Sequence, residues 1–206
     1  MKHSQERAFD VPRETTEKLR AFVDLLLRWN RRINLVSAKS AEDVWRRHVS
    51  DSLQLLPLLP PGSTSLLDIG SGAGFPGLVL AMATGSEVSL VEADKRKAAF
   101  LADASARLGL TAVKVHAERI EDAALPKARL LTARALAPLP ELLRYAHTLL
   151  SPDGTALFPK GRAAERELEA ASRDWTMRVE RFTSRTDPSS TIFRISEVRP
   201  AAGFEA

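Results

Sequence analysis

The segment Asp68-Ile69-Gly70-Ser71-Gly72-Ala73-Gly74-Phe75-Pro76-Gly77 carries the clearest chemistry in the chain. Glycine has no Cβ, so Gly70, Gly72 and Gly74 let the backbone turn sharply and approach a ligand closely. Pro76 suits the first turn of a following helix, and a helix N-terminus offers free N–H groups to an anion. Together these parts make a nucleotide-type cradle. The spacing is G-x-G-x-G, not the G-x-G-x-x-G of dinucleotide folds, and no Lys-Ser/Thr pair follows it as in a phosphate-binding loop. Asp68, two residues before Gly70, is expected to face the ligand. A carboxylate there would repel the phosphates of NAD and attract the ammonium of S-adenosylmethionine. Glu92 lies 22 residues after Gly70, near the roughly 20-residue spacing of an acid that accepts ribose hydroxyls. The bland alternative is a glycine turn flanked by solvated acids.

Later positions extend the same site. Ile120-Glu121 could meet an adenine by side chain or backbone amide, and Arg134 would stand beside the cofactor, though surface ion pairs would explain such residues equally well. His48 and Asp51 are three apart, so they share a face if that stretch is helical. They could position RNA or close a substrate pocket, or simply help the N-terminal part dock. Asn34 could bond a base edge or hold a turn. Lys160, with Arg162, could meet phosphate or sit in a surface turn. Lys95-Arg96-Lys97 is expected on solvent. Between residues 28 and 51 the chain carries six basic and three acidic side chains. Arg28, Arg31, Arg32, Lys39, Arg46 and Arg47 are interleaved there with Trp29 and Trp45. Arginine pairs with phosphate and stacks on bases; a solvated basic face with both tryptophans in the core is the plain alternative.

The elements that must position these residues follow from periodicity. Leu19, Phe22, Val23, Leu26 and Leu27 recur at helical spacing, predicting a helix over 14–29 that Thr15 or Thr16 could cap. A second helix is predicted over 41–56, ended near Pro57, and Leu58-Leu59-Pro60-Pro61-Gly62 reads as a linker. Strands are then expected at 65–69, 87–92, 112–116, 129–132 and 155–158. Helices are expected at 76–83, 95–108, 138–150 and 163–171, with Gly109 closing the second of these and Ser151-Pro152-Asp153-Gly154 forming a turn. The last strands, 177–182 and 191–197, have no helix between them. The alternation predicts βαβ units: a doubly wound α/β fold with a mostly parallel seven-stranded sheet and an antiparallel edge. Ligands bind such sheets at the C-terminal strand ends, near a topological switch point. Residues 1–62 would form a helical N-terminal extension and residues 63–206 the main domain, as one compact unit.

The chain has 206 residues and no cysteine. That length supports a full core without staples, and the missing thiols exclude a disulfide framework, a Cys-ligated metal site and a thiolate nucleophile. No metal is expected. Apolar residues never run to the roughly 18 of a membrane helix, and Met1 to Asp10 is polar, without an apolar signal core. A cytoplasmic, monomeric protein is expected. The net charge of +4 permits a polyanionic partner without demanding one.

DIGSGAGFPG (68–77), EADKRKAAFL (92–101), RALAPL (134–139), Pro159-Lys160-Gly161, Trp29-Asn30 with Asn34-Leu35-Val36, and RHVSDS (47–52) stand in the order that resembles the small-subunit ribosomal RNA guanine-N7 methyltransferase G family, also called glucose-inhibited division protein B. The resemblance covers roughly residues 20 to 200. It implies a Rossmann-like methyltransferase acting on N7 of a guanine in 16S ribosomal RNA, free or in the 30S subunit, with S-adenosylmethionine as donor. It implies cofactor contacts from Gly70 and Phe75 in the glycine loop and from Ile120, Glu121 and Arg134 in later loops. Val36 departs from the threonine the family often carries.

The chemistry agrees with the residues. Guanine N7 has a lone pair and no proton, so its methylation needs positioning and electrostatics more than a general base. Arg134, Lys160 and Asn34 are positioning candidates, and no His–Asp base pair is required. Cysteine, used in C5 methylation of pyrimidines, is absent. Two other readings compete: a small-molecule methyltransferase of the same fold, with the extension as a lid, and a non-catalytic RNA-binding protein that senses the cofactor.

Overall fold

The computed structural model describes residues 11–62 and 64–204. The polar segment Met1–Asp10 lies outside them. Strands β1 (Ser65–Ile69), β2 (Glu87–Val91), β3 (Val113–His116), β4 (Ala128–Thr132), β5 (Leu150–Lys160), β6 (Trp175–Thr183) and β7 (Thr191–Pro200) form one sheet in the order β3-β2-β1-β4-β5-β7-β6. β1 to β5 pair in parallel. β7 runs antiparallel to both β5 and β6, which makes the expected antiparallel edge. Chain order reverses between β1 and β4, so the loops after these strands flank the crevice where such sheets bind ligands.

Helices cover both faces. On one lie α1 (Arg13–Asn30), α2 (Gly77–Thr84) and α3 (Lys95–Arg107); on the other lie α4 (Leu139–Leu149) and α5 (Ala164–Ala171). α1 buries Leu19, Phe22, Leu25 and Leu26, the stripe its periodicity demands. α2 is apolar all round and buried along most of its length, as a helix between sheet and extension must be. Gly109, at φ +66°, closes α3 as expected.

Three local expectations change. α1 starts behind Pro12 without a side-chain cap, and the Thr16 hydroxyl instead donates back to the Pro12 carbonyl. The helix expected over 41–56 is broken into Ala38–Ala41, π-helical turns at Trp45–Ser50, Asp51–Leu53 and a 3-10 turn at Leu56–Leu58. Apolar spacing signals a buried face but does not distinguish i→i+4 from i→i+5 bonding. The turn expected at 151–154 is a bulge inside β5: Ala128 faces Leu150 and Leu130 already faces Thr155.

Candidate functional site

The glycine loop leaves β1 at the switch point. Gly70 has φ +64°, a conformation only glycine adopts cheaply, and a Cβ there would lie 2.6 Å from Leu136 Cδ1. Gly72 N–H donates to Glu92 Oε2 at 2.8 Å, and Asp94 N–H donates to Oε1 at the same distance. Glu92 is thereby held rigidly at the end of β2. Each carboxylate oxygen retains a second lone pair, so the acid can still accept hydroxyls. A cleft of about 830 Å³ opens above the loop, within the size range of small-molecule sites. Gly70, Gly72, Phe75, Glu92, Ile120, Glu121, Arg134 and His48 all line it. Eight of the positions singled out from sequence thus converge on one cavity.

Asp68 does not reach it. It is 1 % exposed beneath the loop, and its Oδ1 accepts the Thr132 hydroxyl at 2.6 Å. Burial pushes its carboxyl up to about 6, against the pull of that hydrogen bond. The residue braces β1 against β4 and lies outside the lining of the cleft. Gly77 sits over it: a Cβ there would come within 2.4 Å of Leu90 Cδ2 and 2.7 Å of Asp68 Oδ2. Gly74 also lies outside the cleft, where its carbonyl accepts Leu78 N–H at the start of α2.

Arg134, in the loop after β4, reaches into the extension. Its guanidinium pairs with Asp51 Oδ2 (3.2 Å), donates to the Arg47 carbonyl (3.2 Å) and meets His48 Nδ1 at 2.8 Å. The His48 ring stacks on Phe75 at 4.9 Å, and the guanidinium lies 5.2 Å above the same ring. Burial, with the charge of Arg134, holds the imidazole down at about 3. It is neutral, and Nδ1 must accept from Arg134, so its proton is on Nε2. The π-helical turns carry His48, and Asp51 follows them directly; the two meet one guanidinium. Such turns often accompany functional sites.

On the far wall Glu121 accepts the Tyr145 hydroxyl at 2.6 Å. That bond lowers the Glu121 carboxyl and pushes the phenol up to about 12. Tyr145 is the chain's one tyrosine, and its helical context gave no sign of this role. The sequence reading also missed the cover supplied by Leu35, Val36, Ser37 and Ser40. The signal was Asn30: its Oδ1 accepts both Leu35 and Val36 N–H and bends the chain over the cleft. Asn34 itself is exposed and outside the cleft.

Lys160 is not at a phosphate-facing surface. Its side chain is 9 % exposed, and its ammonium donates to the Ala137 carbonyl (2.9 Å) and Glu167 Oε2 (2.6 Å). Arg28, Arg31 and Arg32 gather with Arg107 around Trp29 in a separate concavity, and the Trp29 indole donates to Asp103. Arg46 and Arg47 border another, beside His48 and Asp51. Both tryptophans pack partly buried against the core. No helix of the described residues is long and apolar enough to cross a membrane.

Comparison with known proteins agrees with this geometry. Residues 15–190 match the family described as rRNA small subunit methyltransferase G (GidB). The chain is 57 % identical over 188 residues to the ribosomal RNA small subunit methyltransferase G of Granulibacter bethesdensis, covering 91 % of this chain and 88 % of that one. It is 53 % identical over 193 residues to the protein of that name from Rhodospirillum centenum, covering 94 % and 89 %. Among solved structures it is similar to a SAM-dependent methyltransferase from Aquifex aeolicus (TM-score 0.59, 16 % identity, 76 % and 94 % covered). It is also similar to an O-methyltransferase from Bacillus cereus in complex with SAH (TM-score 0.59, 15 % identity, 86 % and 91 % covered). At such identities the structures speak for the fold alone.

Proposed function

The chain belongs to the rRNA small subunit methyltransferase G family, and from that premise we propose that it transfers the methyl group of S-adenosylmethionine to N7 of a guanine in 16S ribosomal RNA. The observation that carries the reading is the cleft at the switch point, where a backbone held open at Gly70 faces the anchored carboxylate of Glu92. These residues fit the cofactor: a Cβ at Gly70 would crowd the cradle, and Glu92 offers spare acceptors for ribose hydroxyls. Gly70, Gly72, Phe75, Glu92, Ile120, Glu121 and Arg134 would hold it.

Bound cofactor supplies a methyl group on a cationic sulfur, which the N7 lone pair can attack without first losing a proton. The protein's part is therefore orientation and exclusion of water. Phe75 gives an apolar wall, 3 % exposed and backed by Phe22. Arg134 holds the extension against the cleft through Asp51 and His48. Arg28, Arg31, Arg32, Arg46 and Arg47 are exposed and would meet RNA phosphates, with His48 nearer the reacting base. Residues 1–62 act as an RNA-facing extension of the catalytic domain 63–206, and the protein works as a cytoplasmic monomer on the 30S subunit or its RNA.

The test uses purified protein, labelled S-adenosylmethionine, and 16S RNA and 30S subunits from cells lacking this gene. One N7-methylguanine should appear, located by mass mapping, in at least one of the two substrates. Cofactor binding by calorimetry without methyl transfer to either would sink the activity.

A further inference from the structure

A second cavity, of about 240 Å³, adjoins the cofactor cleft and shares Arg134 and Ala135 with it as a common wall. Its other sides come from the end of β5 (Pro159 to Gly161), from Asp51 and Gln54 of the extension, from Glu167 of α5, and from Ser184 and Ser190. The space is less than a third of the larger cleft, a size for a single planar base rather than a whole nucleotide. Enzymes that act on a nucleobase extrude it into such a pocket and read its Watson–Crick edge.

The hydrogen-bonding inventory of Lys160 and Glu167, which line this cavity together with Arg134, is specific. Lys160 spends two of its three N–H donors, on Ala137 and on Glu167. Glu167 spends Oε2 on Lys160 and on Leu139 N–H (2.8 Å). What remains is one ammonium donor beside one carboxylate acceptor, Glu167 Oε1. Guanine presents the complement on adjacent atoms: the O6 acceptor and the N1–H donor. In the same pose adenine would turn its N6 amine toward the ammonium and its N1 lone pair toward the carboxylate, and both contacts would be repulsive. A base held by this edge leaves N7 unengaged and able to face the wall shared with the cofactor cleft.

We propose that this cavity receives the flipped target guanine, with Lys160 reading O6 and Glu167 reading N1–H. The proposal deepens the activity argued above and rests on it. It also gives Lys160 a recognition role in place of the phosphate contact expected from sequence.

Glu167→Gln tests it. The glutamine oxygen can still accept from Lys160 and Leu139, while its amide nitrogen puts a donor where the carboxylate acceptor stood. The assay compares labelled methyl transfer to RNA carrying the mapped guanine and to RNA with adenine at that position. The expected loss on guanine is about 10- to 100-fold, with the guanine-to-adenine ratio narrowed about tenfold or more and cofactor affinity within about twofold of wild type. Should Glu167→Gln prove poorly folded, Ser190→Leu serves. It fills the cavity from a loop outside the cofactor cleft, and should cut transfer about tenfold or more at unchanged cofactor affinity. An unchanged base preference in folded Glu167→Gln, or full activity in Ser190→Leu, overturns the pocket while leaving the activity intact. Wild-type protein that binds cofactor and methylates neither RNA sinks both, a distinguishable result.

Discussion

Asp68 and Glu92 are both carboxylates at strand ends beside the glycine loop, yet they do different work. Glu92 points along the cleft and has backbone donors on each oxygen. Asp68 points down, between β1 and β4, where Thr132 supplies one hydroxyl and Oδ2 has no hydrogen-bond partner among the described residues. Such burial disfavours the charged form, and its carboxyl rises from 3.8 to about 6. The sign follows by linkage: the contribution is fully present below pH 4 and is lost as pH rises through 6. Ionised Asp68 therefore costs on the order of 3 kcal/mol at neutral pH. Asp68→Asn removes the titration. Urea unfolding should show wild type losing about 1–1.5 kcal/mol relative to that variant between pH 5 and 7.5. A parallel pH dependence in the two proteins would show that Asp68 titrates normally.

At the scale of elements, α1 is tied to the glycine loop and to α3 by aromatic packing, while Arg134 holds the π-helical turns. Phe22 of α1 meets Phe75 edge-on at 5.4 Å and stacks on Phe100 of α3 at 6.2 Å. Phe75 belongs to the glycine loop and lines the cleft, so α1 supports that wall of the cleft from behind. Phe22→Ala should cost about 3–5 kcal/mol in denaturant unfolding, and calorimetry should find weaker cofactor binding because Phe75 loses its backing. Unchanged cofactor affinity would separate the extension from that site. The π-helical turns add to the same linkage, since they bring His48 onto Phe75 and are followed at once by Asp51 beneath Arg134.

For the molecule as a whole, a net charge of +4 says little until its location is known. Arg28, Arg31 and Arg32 share one concavity, while Arg46 and Arg47 border another beside His48. If the first group meets RNA phosphates, each cation released from the RNA contributes to the salt dependence of binding. Replacing Arg31 and Arg32 together by alanine should reduce the slope of log affinity against log salt by about 1–2, with cofactor affinity unchanged. Filter binding across a salt series reads this directly. An unaltered slope would move the RNA to another face.

The strands, their alternation with helices, the glycine loop and the acid at the end of β2 were all legible in the sequence. These depend on local chemistry: apolar spacing, glycine's freedom at positive φ, and the fixed reach between one strand end and the next. The sequence also placed Ile120, Glu121 and Arg134 at the cleft they line, partly through resemblance to a family; His48, expected to position RNA, close a substrate pocket or dock the N-terminal part, lines it too. Which way side chains point depends on contacts between elements far apart in the chain. Asp68 faces the interior because the strand's pleat turns it beneath Gly77. Lys160 is claimed by Glu167 of α5 and by the Ala137 carbonyl of the loop before α4, groups that the fold brings to the end of β5. Asn30, rather than Asn34, bends the chain over the cleft because the fold aims its side chain at the backbone of Leu35 and Val36. Periodicity assigns a residue to an element and a face; which partners meet it there is set by elements distant in the chain.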